Sequence, residues 1–310
     1  MTDGASRTET IEVKKRRLRG ALRQARLETT MTQKIAAERL VWSQSKIIRI
    51  EQGIVPVTPT DVRVMLQLYG ITDKPRIEEL VQLAKDARAD KGWSTFSDVL
   101  SPAALELIGN EPTAKLLYKY EPSVVPGLFQ TQEYARSLLR ALGNSEDQVE
   151  RRLEVRIQRQ TLLDKPIRPE LNFILGEAAL SRPVGGDDVM REQLAHILEL
   201  SSVDGISIFM LPFSAGAHRG MGSAFTVLQF DDPVLTDLLY LENAERESVS
   251  RDEEGDIRKY LELYIELQDM AVKFGSLEDQ IKKIRSERFG GSAVAKLRKA
   301  ELYDASKLLR

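Results

Sequence analysis

Hydrophobic residues in the N-terminal part of the chain recur at the spacing of amphipathic helices. In residues 12–27, Leu18, Leu22 and Ala25 fall on one stripe, which predicts a first helix with one buried face. Further helices are predicted over residues 32–39, from 43 to a point before 53, from 58 onward, and over 76–88. The pattern therefore predicts that the chain begins with a helical domain.

The second and third predicted helices are joined by only three residues, Leu40, Val41 and Trp42. So short a connection is typical of a helix-turn-helix, in which two helices meet at a steep angle. Small alanines in the second helix suit such a close crossing, and the spacing of Ile47 and Ile50 turns one face of the third helix inward.

Beyond these helices, short apolar runs alternate with helical segments. Strands are predicted at 115–120, 171–175, 206–211, 224–230 and 234–241, and helices at 102–110, 131–142, 146–163, 189–200 and 252–274. The last two strands are separated only by residues 231–233, which indicates a hairpin. The predicted fold class is α+β: an all-α domain, then a mixed α/β domain with a single, partly antiparallel sheet, then a helical tail.

Domain boundaries are placed where the periodicity is lost. The prediction is a flexible N-terminus at 1–13, a helical domain at 14–88, a linker at 89–100, an α/β domain at 101–275 and an amphipathic tail at 276–310. The tail carries Leu277, Ile281 and Ile284 at helical spacing, and a second amphipathic pattern follows residue 291. That last segment either packs against a dimer mate or is a frayed end.

Composition removes several classes of function. The 310 residues contain no cysteine and only two histidines, His196 and His218, which excludes disulfides, thiolate zinc sites and cysteine nucleophiles. Walker-type loops, dinucleotide glycine fingerprints and serine elbows are also missing from the sequence. We therefore expect no enzymatic activity, no cofactor and no metal site. The sequence has no apolar run of membrane-spanning length and no secretory signal, which favours the cytoplasm.

Charge is unevenly distributed along the chain. The whole sequence carries a formal charge of −2, but residues 1–70 hold thirteen Lys and Arg against seven Asp and Glu, a net charge of +6. A cationic N-terminal domain on an acidic body is suited to approaching nucleic-acid phosphates without coating DNA nonspecifically.

Polar side chains line the outward face of the third predicted helix. They are Ser43, Gln44, Ser45, Lys46 and Arg49. In the major groove, Gln pairs with adenine, Lys and Arg pair with guanine, and Ser binds bases or phosphates. Gln33, in the first turn of the second helix, is placed to donate to a phosphate and to brace Gln44. We predict that these six residues bind double-stranded DNA.

Four groups of residues carry a resemblance to a known family. They are Thr32-Gln33, Ala36-Ala37, Ser43-Gln44-Ser45-Lys46-Ile47 and Arg49-Ile50-Glu51-Gln52-Gly53. From about residue 14 to 88 the chain resembles the Xre-type, lambda-repressor-like helix-turn-helix. The resemblance implies a compact five-helix domain, usually dimeric on operator DNA, with Glu51 tying helices together and Gly53 as a cap. The family often has glycine in the turn where Val41 stands, so this turn is either strained or remodelled.

A second resemblance covers residues 101–274. It rests on the run 120–131, on Glu133-Tyr134-Ala135, on Arg156 with Arg159-Gln160, on Glu177-Ala178-Ala179-Leu180, on Gln193-Leu194, and on the run from Leu211 through His218 to Phe225. These elements resemble the C-terminal domain of the WhiJ-like, or Scr-type antitoxin-like, regulators of actinobacteria. The resemblance implies a regulator of development or secondary metabolism that is often encoded beside a small partner protein, which binds it.

Candidate partner- or effector-binding residues lie in or near these elements. They are Tyr120, Glu121, Val125, Phe129, Arg156, Glu177 and His218. Arg156 and Glu177 either hold an anionic effector or partner carboxylates, or form an internal ion pair. The run 122–130 is either a recognition loop or a buried crossover, and His218 is either functional or simply solvated. Trp42 either stacks on DNA or forms a wedge in the core.

Two main hypotheses for function follow. The first is a sequence-specific DNA-binding transcriptional regulator whose C-terminal domain binds a small regulatory partner protein or an effector. The second is an antitoxin-like scaffold that neutralises a small partner and binds DNA mainly for autoregulation. An enzyme with a DNA-binding appendage is a third hypothesis, and it lacks a recognisable catalytic motif.

Overall fold

The computed structural model describes residues 10–51, 55–89, 92–232, 235–242, 247–250, 255–273 and 275–289. The α-helices in this part of the chain are α1 (Ile11–Glu28), α2 (Gln33–Leu40), α3 (Gln44–Glu51), α4 (Pro59–Leu68), α5 (Lys74–Ala89), α6 (Pro102–Asn110), α7 (Gln132–Ala141), α8 (Glu146–Gln160), α9 (Glu177–Ser181), α10 (Asp187–Ser201), α11 (Gly255–Val272) and α12 (Leu277–Arg288). The strands are β1 (Leu116–Glu121), β2 (Glu170–Gly176), β3 (Ile206–Leu211), β4 (Ala224–Gln229), β5 (Leu238–Glu242) and β6 (Glu247–Ser250).

Helices α1 to α5 form the predicted all-α domain around one apolar core. Leu22, Ile47 and Met65 are fully buried there, and they come from three different helices. Threonine hydroxyls cap α1, α2 and α4, where each accepts a hydrogen bond from a first-turn amide. Because Thr10 is the first of these caps, α1 begins at Ile11, inside the segment predicted to be flexible.

The second domain contains one mixed sheet, which confirms the predicted fold class. Its strand order is β3-β2-β1-β4-β5-β6. Strands β1, β2 and β3 run parallel, whereas β1–β4, β4–β5 and β5–β6 are antiparallel pairs. The predicted hairpin is therefore present as β4–β5.

Helices cover both faces of the sheet. One face packs Leu117, Phe173 and Ile208 against α6, α7, α10 and α12, and this forms the larger core. The opposite face packs against α11, whose Tyr264 and Leu267 are buried. Alternate residues of β1 therefore face different layers, which decides where its polar side chains lie.

The last two strands, β5 and β6, differ from the prediction made from the sequence. The strand predicted at 234–241 begins only at Leu238, because Asp237 accepts hydrogen bonds from the Phe230 backbone N–H and the Gln229 amide at 3.1 Å each and so shapes the preceding loop. Residues 233 and 234 of this loop lie outside the described residues. Strand β6 was not predicted, because Glu247–Ser250 lacks an apolar run and pairs with β5 through its backbone.

The segment predicted as a linker packs against both neighbouring regions. A 3-10 turn spans Gly92–Phe96, and Phe96 is buried in a small cluster with Val99, Ile108 and Val155. The aromatic side chains in this segment provide apolar surface, so residues 92–100 do not form an extended tether.

The predicted helical tail begins with a helix that belongs to the main core. Ile281 and Ile284 of α12 are buried against the same sheet face as α10, which accounts for their helical spacing. The second amphipathic pattern of the tail, and Gln52 and Gly53 of the helix-turn-helix motif, lie outside the described residues.

Candidate nucleic-acid interface

The turn between α2 and α3 keeps the left-handed backbone that such a turn requires. Val41 has φ 57° and ψ 39°, and its side chain is exposed. The Trp42 N–H donates to the Ala37 carbonyl at 2.9 Å, which closes the end of α2. A β-branched residue at this φ costs roughly 1–2 kcal/mol, so the turn is strained and not remodelled.

Helix α3 presents one apolar and one polar face. Ile47 and Ile50 are buried in the helical core, whereas Gln44, Ser45 and Arg49 are exposed on the outside. Within the described part of the chain, these three polar side chains make no hydrogen bond or ion pair. Their donors and acceptors are therefore available to base edges.

Ser43 and Lys46 have structural contacts at the start of α3. The Ser43 hydroxyl accepts a hydrogen bond from the Lys46 N–H at 3.2 Å and thereby caps the helix. The Lys46 ammonium lies 3.4 Å from the centroid of the Trp42 ring and 3.0 Å from Asp61 Oδ1. These contacts hold the Lys46 ammonium beside Asp61 and leave its other donors for an acceptor on DNA, and the Ser43 hydroxyl can still donate to a phosphate.

Trp42 is a half-buried residue that packs on the helical core. Its ring supports the Lys46 ammonium by a cation–π contact. The wedge alternative therefore describes its position better than a ring projecting toward DNA.

Asp61 has a lowered pKa because of its contacts with Lys46 and Thr58. Burial raises the pKa of this carboxyl. Hydrogen bonds with the Lys46 ammonium and with the side chain and backbone N–H of Thr58 lower it, and together they outweigh burial. Asp61 and Thr58 also form a reciprocal capping box at the start of α4. The carboxylate thus connects the capping of α4 to the reading helix.

Gln33 does not brace Gln44 as predicted. Its amide Nε2 donates to Glu51 Oε2 at 2.8 Å instead. Glu51 also accepts hydrogen bonds from Arg26 at 2.6 and 2.8 Å, and Arg26 reaches the Met31 carbonyl at 2.8 Å. The predicted structural role of Glu51 is therefore confirmed, since it joins α1, α2 and α3.

Several arginines of α1 are engaged in ion pairs within the chain. Arg26 is buried in its pair with Glu51, whose hydrogen bonds raise the Arg26 pKa against the effect of burial. Arg17 pairs with Asp232, and Arg19 lies 3.4 Å from Glu106. Since both acids belong to the second domain, part of the positive charge of the helical domain is used in the contact between domains.

The candidate residues of β1 lie on opposite faces of the sheet. Tyr120 packs on the α11 side beside Phe225, and burial raises its pKa to about 12. Glu121 faces the other side and pairs with Lys119 at 3.4 Å. Burial raises the pKa of Glu121, although Lys119 acts in the opposite direction. These two residues cannot share one binding site.

The run 122–130 forms a buried crossover. Val125 and Phe129 are completely buried in the larger core, so they offer no apolar surface to a partner. The Val125 N–H donates to the Tyr134 hydroxyl at 3.0 Å, and Gln130 Nε2 donates to the Val125 carbonyl at 2.6 Å. These bonds fix the run against α7.

Arg156 and Glu177 do not form the predicted ion pair. Arg156 donates to Gln130 Oε1, and Glu177 accepts from the backbone N–H of Phe213 at 2.9 Å. His218 stands apart from both, with its ring edge-on to Tyr120 at 6.0 Å and its pKa lowered by burial. The three residues therefore do not constitute one site.

Comparisons with known families divide the chain at the same place. A family described as "Helix-turn-helix domain" matches residues 17–80. A second family, described as "Domain of unknown function (DUF5753)", matches residues 105–276, more than half of the chain. The chain belongs to the DUF5753 family. Its N-terminal domain is a helix-turn-helix domain of the kind found in DNA-binding regulators.

Two further comparisons, with curated proteins and with solved structures, found no similar protein. Among the described residues, no helix is long and apolar enough to cross a membrane.

Two residues of the DUF5753 protein, Asp61 and Arg152, were not among the predicted site residues. Asp61 was not a candidate, because its contact with Lys46 becomes visible only once α3 and α4 are packed. Arg152 was also missed. Its spacing to Arg156 and Arg159, at i, i+4 and i+7 on α8, is a signal that the sequence does contain.

Proposed function

We propose that this DUF5753 protein is a sequence-specific transcriptional regulator that binds operator DNA through α3. What supports the proposal above all is the outward face of α3, where Gln44, Ser45 and Arg49 are exposed on a helix fixed from behind by Ile47 and Ile50. Residues near the start of a recognition helix penetrate deepest into the major groove. Gln44 and Ser45 are therefore the leading base contacts, and Arg49 reaches a guanine or a phosphate further along.

The proposed DNA-bound form is a homodimer on an inverted repeat. The Xre-type resemblance supports this, because such domains are usually dimeric on operators. Two copies of α3 then occupy half-sites about one helical turn apart, roughly 34 Å, or a multiple of that spacing. We also propose that the protein is cytoplasmic and has no enzymatic activity.

The DUF5753 domain is proposed to receive the regulatory signal, either an effector or a small partner protein encoded nearby. The resemblance to WhiJ-like, Scr-type antitoxin-like regulators of actinobacteria supports the partner. Binding alters operator occupancy only if the partner binds the free and DNA-bound forms with different affinity.

The experiment that tests DNA recognition compares two duplexes of equal length with the full chain. One carries the promoter region of its own gene, the other a scrambled sequence, both at physiological salt. A preference of about a thousandfold or more supports the proposal. Equal affinity for the two duplexes overturns it.

An antitoxin-like scaffold is the second candidate function. It is favoured by the engagement of Arg17 and Arg19 with acids of the second domain, which reduces the cationic surface available to DNA. Coexpression of the full chain with the product of a neighbouring small gene tests it. A full-length variant that combines Gln44→Ala and Arg49→Ala should still copurify with that product, and absence of the product from the purified wild-type chain contradicts this candidate.

A further inference from the structure

Three arginines project from one face of α8 in the DUF5753 domain. They are Arg152, Arg156 and Arg159, here called the basic cluster. Arg159 is neutralised by Glu111, which accepts two hydrogen bonds from it at 2.8 and 2.5 Å. The other two have no comparable partner in the described part of the chain, where neither forms an ion pair.

Arg156 is held by polar groups and forms no ion pair in the described part of the chain. Its guanidinium donates to the side-chain oxygen of Gln130. Gly127 lies against it so closely that an added Cβ would be 3.2 Å from Arg156 Nη1. Burial lowers the pKa of Arg156 to about 10, and the neighbouring Arg159 and Arg152 act in the same direction. A half-buried cation beside two others is a costly arrangement without an anion.

Arg152 repeats this pattern one turn earlier on the helix. Its Nε is buried and has no hydrogen-bond partner among the described residues. Unmet buried donors are rare in folded proteins, because each costs about 1–3 kcal/mol. Two adjacent guanidiniums with unused donors are suited to bidentate binding of an oxyanion.

On the sheet face that carries the larger core, the part near the basic cluster contains polar residues. Lys119 of β1 pairs with Thr226 of β4, and Thr226 pairs with Tyr240 of β5, in one row across the sheet. The Thr226 hydroxyl is almost fully buried and has no partner among the described residues. Glu242, the next residue of β5 on this face, is exposed and close enough to raise the pKa of Arg156 and Arg159. The polar region therefore reaches solvent.

A purely structural role accounts for Arg159 but not for the other two arginines. Arg159 and Glu111 are a complete bidentate pair that joins α8 to the end of α6. We propose that Arg152 and Arg156 bind a small molecule through an oxyanion, either a carboxylate or a phosphate.

The basic cluster is connected to the helical domain by consecutive residues. Glu111 binds Arg159, while Asn110, directly before it, accepts a hydrogen bond from Arg16 of α1 at 3.2 Å. At the other end of α6, the Ser101 hydroxyl contacts Glu247 of β6. An anion bound by Arg152 and Arg156 therefore sits beside the Arg159–Glu111 pair, which adjoins the support of α1. A regulatory consequence of this position rests on the proposed function, whereas anion binding itself does not.

Calorimetric titration of the full chain, without DNA, tests the anion site. The probes are inorganic phosphate and succinate, each in a buffer matched in ionic strength with sodium chloride. We expect saturable binding of at least one probe, and the stronger of the two identifies the class of oxyanion. The variant Arg156→Gln should weaken that binding about tenfold or more, because it removes the charge but keeps a hydrogen-bond donor.

The matched control is Arg258→Gln, which removes an exposed arginine on α11 whose one ion pair among the described residues is with Glu262 on its own helix. This variant should bind the probes like the wild type. Absence of saturable binding to both probes, or equal weakening by the two substitutions, overturns the anion site. Loss of promoter preference without loss of probe binding contradicts only the proposed DNA function, so the two failures are distinguishable.

Discussion

Arg16 of α1 donates a hydrogen bond to Asn110 of α6, and the two residues are 94 positions apart in the chain. The Arg16 guanidinium also lies 4.4 Å from the centroid of the Phe230 ring, and Thr10 donates to the Gly109 carbonyl at 2.6 Å. The first helix of the DNA-binding domain is thus attached directly to the DUF5753 domain. A structural change in the second domain therefore has a short physical route to the first.

Loss of Asn110 should destabilise this contact. In Asn110→Ala, buried Arg16 loses an acceptor, and the expected loss of unfolding free energy is about 1–3 kcal/mol. Both tryptophans, Trp42 and Trp93, lie in the N-terminal part of the chain, so tryptophan fluorescence in urea follows unfolding there. The matched control is Asn144→Ala, which, among the described residues, loses a single side-chain bond to the Leu139 carbonyl between α7 and α8. An equal effect of both substitutions on the fluorescence transition contradicts the proposed importance of the contact between domains.

Relief of the left-handed strain at Val41 should stabilise the helical domain. Asparagine tolerates positive φ far better than a β-branched residue, so Val41→Asn is expected to increase the unfolding free energy by about 1 kcal/mol. Val41 is exposed, and its replacement therefore removes little buried apolar surface. The same fluorescence transition in urea measures the effect.

Val64→Asn provides the control for this substitution. Val64 is also a partly exposed valine, but it lies within α4 at a helical backbone conformation. Asparagine brings no strain relief there and should leave stability unchanged or slightly lower. If the two variants change stability by the same amount, strain at Val41 is not the cause.

Local patterns predicted the helix-turn-helix well because its determinants are close in sequence. The spacing of Ile47 and Ile50 defines the buried face of α3, and Thr32 and Thr58 cap their own helices. These interactions need no knowledge of the rest of the fold. The same locality explains the correct placement of most helices and strands in the second domain.

Pairing over long distances could not be obtained from the sequence. Arg17 and Arg19 have the appearance of DNA-facing cations until α1 is packed against Asp232 and Glu106. Arg156 and Glu177 are complementary in charge, yet α8 and α9 direct them to Gln130 and to a backbone amide. Opposite charges identify possible partners, whereas the topology decides which of them meet.

Acidification should weaken the link between α3 and α4. The Asp61 pKa is lowered in the folded chain from its ordinary value of 3.8, so its contribution to stability is complete above that value. It is lost as the pH falls through the lower, folded pKa. Unfolding free energy measured from pH 6 downward should therefore converge between the wild type and Asp61→Asn in acid.

The asparagine substitution keeps an acceptor for the Thr58 N–H and removes only the charge. Because the pair with Lys46 is partly exposed, the difference at pH 6 should be about 1 kcal/mol or less. A difference that grows on acidification contradicts this explanation. The variant Asp86→Asn serves as a comparison, because it removes the carboxylate of a separate ion pair, the one with Lys14.

Substitutions on the outward face of α3 should reduce sequence preference more than they reduce nonspecific affinity. Gln44→Ala and Arg49→Ala each remove an exposed side chain that makes no hydrogen bond or ion pair within the described part of the chain, so protein stability should change little. Loss of a base contact is expected to cost about 1–3 kcal/mol on the promoter duplex. On the scrambled duplex, the affinity should fall only slightly for Gln44→Ala.

Lys85→Ala is the control, since Lys85 is an exposed cation of the same domain on α5. It should leave the ratio of promoter to scrambled affinity unchanged. Salt dependence separates the two kinds of contact, because loss of a phosphate contact lowers the salt slope by about one and loss of a neutral base contact does not. If Arg49→Ala weakens both duplexes equally and lowers the slope, Arg49 binds a phosphate, and sequence recognition by α3 then depends on Gln44 and Ser45.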